Sequence, residues 1–210
     1  MKIKLLTLFF MLIFFGGKAQ NFLLTAVLSA KGNLKYYELK ANQINFKIDD
    51  EGNLISFSPD VFEGTYEYYD DFAPANISGK IRKTGNTSVE YYDNFNQDFS
   101  GKPSKIGNIY LEYYQNQFSF KDGKLRKIGE IAFLYYDNEF TDAAKYGKLK
   151  SFADIKIQYG GEMFTAASSN QLTFIGNTQI QYWDEIFSGV QRGKIKSING
   201  KTPKLKIIVE

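Results

Sequence analysis

Cysteine and histidine are missing from all 210 residues. Without cysteine there is no disulfide, no thiol nucleophile and no thiolate metal ligand. Without histidine there is no imidazole acid–base group, and the usual zinc ligand sets cannot be assembled. Proline is scarce, at four residues, and tryptophan occurs once. No serine–histidine–aspartate set, phosphate loop or dinucleotide fingerprint appears. Charge of one sign is not in excess either. The formal +3 comes wholly from Lys2, Lys4 and Lys18, and from residue 20 onward acidic and basic side chains balance. That removes the basic footprint expected of a nucleic-acid binder. The apolar stretch Leu5–Phe15 falls short of the roughly 20 residues a spanning helix needs.

That stretch follows Lys2 and Lys4 and precedes Gly17 and Ala19, small residues at the −3 and −1 positions of a cleavage site. The arrangement predicts a signal peptide over 1–19. Residues 20–210 are then expected as a single domain, periplasmic or extracellular, with no membrane span after cleavage. No cysteine follows the apolar stretch to accept a lipid. Exported without disulfides, the fold must rest on an apolar core, which 17% aromatic residues make feasible.

Against these absences stands a repeat. Five eleven-residue stretches begin at Arg82, Ser104, Arg126, Lys150 and Thr173, spaced by 22, 22, 24 and 23 residues. Self-similarity at such a period marks a repeat architecture. Each stretch reads strand, turn, strand. Gly85-Asn86, Gly107-Asn108 and Gly176-Asn177 are two-residue hairpin loops of type II′, with Gly129-Glu130 a variant that keeps the glycine. Ala153-Asp154 lacks it and is expected to be the strained turn. Asn199-Gly200 offers a type I′ equivalent.

Two-residue loops fix register, so Ile106 should face Ile109, Ser104 should face Leu111, and Ile128 should face Ile131. One sheet face then carries Val89 and Tyr91, then Ile109, Leu111 and Tyr113, then Ile131, Phe133 and Tyr135. It continues with Ile155, Ile157 and Tyr159, then Thr178, Ile180 and Tyr182. This column is the predicted core. Ser88, Glu90, Tyr110, Glu112, Lys156, Gln158, Gln179 and Gln181 lie on the opposite, wetted face.

The predicted fold class is all-β: an antiparallel meander of β-hairpin repeats of 22–24 residues, curving into a long sheet, half-pipe or barrel. Stacked coils are the alternative geometry. Clear repeats cover about residues 52–200. Gly52 to Tyr69 reads as a unit with an insertion, and Gly32 to Phe46 as a poorer copy. Strands near Asn21–Ala30 and Lys204–Glu210 cap the ends, where exposed edges also allow self-association.

A second aromatic follows the core tyrosine of each unit: Tyr69, Tyr92, Tyr114, Tyr136 and Trp183. Strand alternation turns these toward the wetted face. There they either pack beneath the following loop or form a ladder able to stack on sugar rings. An acid or amide and a phenylalanine come next, at Asp93 with Phe95, Gln115 with Phe118, Asp137 with Phe140 and Asp184 with Phe187. The phenylalanine is expected to cover the second aromatic. Each loop ends in Gly-Lys, as at Gly101-Lys102, which reads as a solvated end with lysine stems over the core tyrosines, or as an anion-binding strip.

Loop acids such as Asp93 and Asp137 fit turn chemistry better than a calcium loop. Glu67, Glu90 and Glu112 recur with the period, which points to surface patterning and away from a unique two-carboxylate cleft. No catalytic, cofactor or metal residue is assigned, and the chain reads as a non-enzyme. Strands of about six residues, rich in lysine, also disfavour an outer-membrane barrel, whose strands need about 9–11.

The phrase Tyr-Tyr-Asp-x-x-Phe, then Gly-Lys, then Ile-Gly-Asn, seen over Tyr91 to Asn108 and Tyr135 to Ala153, resembles exported tandem-repeat proteins of bacteroidete bacteria. More loosely it is similar to MORN-type hairpin repeats. Gly160, Gln171 and Ala153-Asp154 depart from the phrase. The resemblance implies an envelope or secreted β-repeat scaffold and transfers no catalytic residue. The expected partner is therefore a protein or an envelope glycan, the latter along Tyr69, Tyr92, Tyr114, Tyr136 and Trp183. The MORN-like character also raises a toxin-immunity or inhibitor role.

Overall fold

The computed structural model describes residues 21–93, 99–115, 120–138, 140, 143–160, 171–183 and 189–210. The stretch read as a signal peptide, residues 1–19, and the loop residues Phe95, Phe118 and Phe187 lie outside them.

Twelve short strands form one long antiparallel sheet in unbroken chain order. They are β5 (Tyr66–Tyr68), β6 (Ile81–Thr84), β7 (Thr87–Tyr91), β8 (Pro103–Ile106), β9 (Ile109–Tyr113) and β10 (Leu125–Ile128). The run continues with β11 (Ile131–Tyr135), β12 (Leu149–Phe152), β13 (Ile155–Tyr159), β14 (Leu172–Ile175), β15 (Thr178–Tyr182) and β16 (Ile195–Asn199). The sheet stays open and does not close into a barrel.

Register follows the turns as expected: Ile106 pairs with Ile109, Ile128 with Ile131, and Ile175 with Thr178. Gly85, Gly107, Gly129 and Gly176 have φ between 56° and 60° while the residue after each does not enter positive φ. That is the sign pattern of a type II′ loop. Ala153 holds the same conformation at φ 48° with a Cβ attached. An L-residue there costs about 1–2 kcal/mol. Ala153→Gly should therefore stabilise the fold by about 1 kcal/mol, read as a higher denaturant midpoint at unchanged m-value.

The column facing inward is dry. Val89, Ile109, Leu111, Ile131, Phe133, Ile155, Ile157 and Ile180 are all buried, and Ser88, Glu90, Tyr110, Leu134, Lys156, Gln158 and Gln181 are exposed on the outer face. On that outer face Glu67, Glu90 and Glu112 each meet a cation one strand on, Arg82 at 2.6 Å, Lys105 at 3.4 Å and Arg126 at 3.8 Å. These are exposed cross-strand pairs, worth about 0–1 kcal/mol each.

What covers the dry face is a second sheet. β1 (Phe22–Leu28), β2 (Leu34–Ala41), β3 (Ile44–Ile48) and β4 (Leu54–Pro59) form a meander, and β17 (Leu205–Val209) joins it parallel to β1. The stretch read as an early repeat, Gly52 to Tyr69, is thus divided between the two sheets, and Gly32 to Phe46 belongs to the smaller one. Asn199-Gly200 is not a hairpin either. After β16 the chain crosses to the other sheet, where Val27 pairs with Ile208. The tight hairpin of the small sheet is Asn42-Gln43, both at positive φ, with Ala41 opposite Ile44.

Tyr37, Leu39, Phe46 and Ile48 of the small sheet join the repeat column in one buried cluster, with the Tyr37 and Phe152 rings edge to face at 4.9 Å. At one end of the sandwich the small sheet's turns dock onto the long sheet's backbone. The Leu125 and Leu149 amides donate to Gly52 O and Asp50 O, and the Ile195 amide donates to Ala30 O. Lys148 pairs with Asp50 at 3.0 Å. Each of those amides opens a strand just past a lysine or glycine–lysine step, where register shifts break the ladder. The docked turns supply acceptors the ladder leaves missing.

Candidate binding surface

The candidate ladder residues sit where each loop leaves and rejoins the sheet. The Tyr92 amide donates to Lys102 O and the Gly101 amide donates to Tyr92 O. The same two bonds recur at Tyr69, Tyr114, Tyr136 and Trp183 with the Gly-Lys step that follows each. The second aromatic and the Gly-Lys step are thus the two posts of one gate. Loop length varies outside it at no expense to the sheet.

The rings have structural tasks as well. Tyr69, Tyr92, Tyr114 and Tyr136 are half-buried. Their hydroxyls donate to Val89 O, Leu111 O, Phe133 O and Ile157 O, at 3.1, 2.8, 3.0 and 2.8 Å. Every acceptor is the central core residue of the next unit. The same rings stand edge-on to the next unit's first tyrosine, at 5.9, 5.9, 5.8 and 6.1 Å between centroids. Simple alternation, which turned these rings out to water, does not describe them. What the described residues show is packing from one unit to the next.

Trp183 lacks a hydroxyl and belongs to the last unit, beyond which no further hairpin offers a carbonyl. It is 39% exposed, with the Lys196 ammonium 5.0 Å from its ring. Of the expected covering phenylalanines only Phe140 is among the described residues, and it departs from expectation. Phe140 is 96% exposed, so it covers nothing. Phe99 instead meets Tyr92 edge to face at 4.6 Å, and Phe120 meets Tyr146 at 4.4 Å.

Beside the tyrosines runs a lysine ladder. Lys80, Lys102 and Lys124 donate to the carbonyls of Gly101, Gly123 and Gly147, again one unit forward. Their ammonium groups lie 5.4, 5.3 and 5.4 Å from the rings of Tyr91, Tyr113 and Tyr135. Burial holds Lys102 and Lys124 below the usual lysine range. Where the phrase has Gln171 for lysine, the amide keeps the donor's role and reaches Gly193 O at 3.0 Å and Lys31 O at 2.8 Å. The signal for this ladder was the constant spacing of Gly-Lys; its direction, lysine to the next glycine, was not visible in sequence.

The first tyrosines do not all end alike. The hydroxyls of Tyr91, Tyr135 and Tyr182 donate to Ile81 O, Leu125 O and Leu172 O, whereas the buried Tyr113 hydroxyl has no hydrogen-bond partner among the described residues. Tyr135→Phe should therefore cost about 1 kcal/mol, and Tyr113→Phe should be neutral or stabilising. Urea titration of the two variants checks the contrast.

The same column records how far the cover extends. Exposure is 56% at Tyr68, intermediate at Tyr91, and 8%, 3% and 5% at Tyr113, Tyr135 and Tyr159. The small sheet ends at β4; Val89 of β7 is still only 1% exposed, and the inner face opens at β5. Tyr66 is 53% exposed there and stacks on Phe62 at 4.8 Å. Between β4 and the loop-side ends of β7–β9 lies a groove of about 360 Å³, lined by Leu54, Phe57, Lys80, Tyr91, Lys102 and Tyr113. Sequence reasoning missed it because it placed Leu54 and Tyr68 in one hairpin unit.

Together the fold and this surface define a two-layer β-repeat protein whose inner face is covered over most, not all, of its length. Among the described residues no helix is long and apolar enough to cross a membrane. No family model, no curated protein and no solved structure matches the chain.

Proposed function

We propose that this chain is an exported, non-enzymatic scaffold that binds another protein through the uncovered inner face at β5. The observation that carries the reading is the exposure of Tyr66 and Tyr68 in a column that is dry two strands further on. Contiguous exposed apolar surface beside a polar rim is the usual mark of an interaction site. The Tyr–Tyr and lysine ladders support a scaffold role, since both spend their polar groups on joining units. Export rests on Lys2, Lys4, the apolar stretch and Ala19, and the likeness of the repeat phrase to bacteroidete envelope proteins agrees with it.

A photo-crosslinking residue at Tyr68, compared with one at Gln158 on the outer face, tests the reading in envelope extracts. A discrete protein adduct at position 68 and none at 158 is expected. Equal labelling from both positions, or adducts only from the outer face, overturns it.

A further inference from the structure

The groove also indicates what form the partner takes. β4 is the last strand of the small sheet among the described residues, and its pairing with β3 sets which backbone groups turn outward. The Asp60 amide donates to Gln43 O, so Asp60 is a hydrogen-bonded position of the ladder. Alternation then turns Ser58 and Ser56 toward β3, and Phe57 and Pro59 toward the free edge. Pro59 has no amide hydrogen, which blunts that end, while Phe57 presents both a donor and an acceptor. One further strand beside β4, about 4.8 Å away, would lie over Tyr91, on the side where Tyr66 and Tyr68 of β5 stay exposed. It would continue the cover that β1–β4 already provide.

Charge says what this strand should carry. Where the small sheet covers the lysine ladder, it does so with the acidic turn Asp49-Asp50-Glu51. Asp50 pairs with Lys148, and all three acids lie near enough to Lys124 to favour its charged form. Lys80 and Lys102, which line the groove, receive no such turn from the small sheet; the acid near Lys102 is Asp122 of the long sheet's own loop. Backbone chemistry agrees. The amides of Leu125 and Leu149 take carbonyls from that turn, and the equivalent position beside the groove is Pro103, which has no amide to satisfy.

We infer that the groove beside β4, which borders the open inner face at β5, takes an extended, acidic and apolar segment of a partner protein. The segment adds to the small sheet as a strand opposite Phe57, with its carboxylates at Lys80 and Lys102. This rests on the reading of the open face as a protein-binding surface and names the mode of binding. Main-chain pairing provides affinity, and the tyrosine floor selects alternate apolar side chains.

The probe is a capped peptide of residues 49–58, which holds the acidic turn and apolar strand that already cover the neighbouring units. It is titrated into the chain from residue 20 onward and followed by amide chemical shifts. Saturable binding below about 1 mM is expected, with the Phe57 amide among the shifted signals. Methylating alternate peptide nitrogens along the pairing edge should weaken binding about tenfold or more, as should the double variant Tyr66→Ser, Tyr68→Ser. A peptide with Asn and Gln in place of Asp and Glu should bind more weakly, and added salt should narrow that difference.

No saturation by about 1 mM, or equal binding of the N-methylated peptide, overturns the inference. So does binding of envelope glycan fragments in the groove where the peptide fails. If any of these occurs while the position-68 adduct persists, the protein-binding reading stands and only the strand-addition mode falls. Loss of the adduct as well removes both.

Discussion

Raising the pH above 10 should unfold this protein in a single steep transition. Tyr37, Tyr113, Tyr135 and Tyr159 are buried in the shared core, and burial is the largest cause holding each phenol above its ordinary value of 10.0. Tyr91, less buried, is pushed up to about 12. A phenol with its folded pKa raised stabilises the fold fully below pH 10, the unfolded value. That stability is lost as pH rises from there toward the folded pKa. Each contributes a slope of about 1.4 kcal/mol per pH unit, so the four buried tyrosines together approach roughly 5–6. Tyr91 and Tyr182 add less, because solvent screens them. Lys102 and Lys124 work in the opposite sense. Their lowered pKa values mean that the fold gains as pH rises toward 10.5, but two partly buried lysines do not offset four buried phenols. With a total stability of about 5–15 kcal/mol, unfolding is expected within about one to two and a half pH units above 10. Tyrosinate absorbance near 295 nm and loss of far-ultraviolet dichroism should rise and fall together. Independent titration of the tyrosines near pH 10 with unchanged dichroism would show that they are not buried.

A large single-residue effect should come from Gly52→Ala. Gly52 has φ 82°, and a Cβ built there would lie 2.0 Å from the Tyr135 hydroxyl. That hydroxyl donates to Leu125 O at 2.6 Å, and the Leu125 amide donates back to Gly52 O at 3.3 Å. The methyl group thus adds backbone strain and pushes apart the contact that docks one sheet on the other. Strain of about 1–2 kcal/mol and two weakened hydrogen bonds of about 1 kcal/mol each give a loss of about 3–4 kcal/mol. In a chain this long that lowers Tm by roughly 6–16 °C. Gly79→Ala is the control. Gly79 has φ 72° with nothing within 4 Å of its Cβ position, so only the strain of about 1–2 kcal/mol should be lost. Equal effects of the two substitutions would mean that the docking contact adds nothing to stability.

How much of this could be read from the chain depends on distance along it. Hairpin register was legible because Gly107-Asn108 and its copies settle pairing within two residues. The dry column from Val89 to Ile180 followed from alternation. Asn42-Gln43 escaped notice because neither residue is glycine, and asparagine and glutamine entering positive φ leave no compositional mark. Asn199-Gly200 misled for the opposite reason, offering a turn where β17 has a stronger claim on β1 from the far end of the chain. The setting of the second tyrosines was not legible because alternation ends with the strand, while their hydroxyls are drawn to carbonyls 19 to 21 residues away. The groove was invisible for the same reason as the small sheet. Which sheet covers which is set by non-local packing, and Leu54 carries no local sign that it leaves the repeat.

Everything proposed about binding depends on a cover that stops at β4. Hydroxyl-radical footprinting of the tyrosines measures that directly, residue by residue. The structure predicts rapid oxidation of Tyr66 and Tyr68, intermediate oxidation of Tyr91, and strong protection of Tyr113, Tyr135 and Tyr159. Protection of Tyr66 and Tyr68 equal to that of Tyr135 would contradict an open inner face, and with it the site.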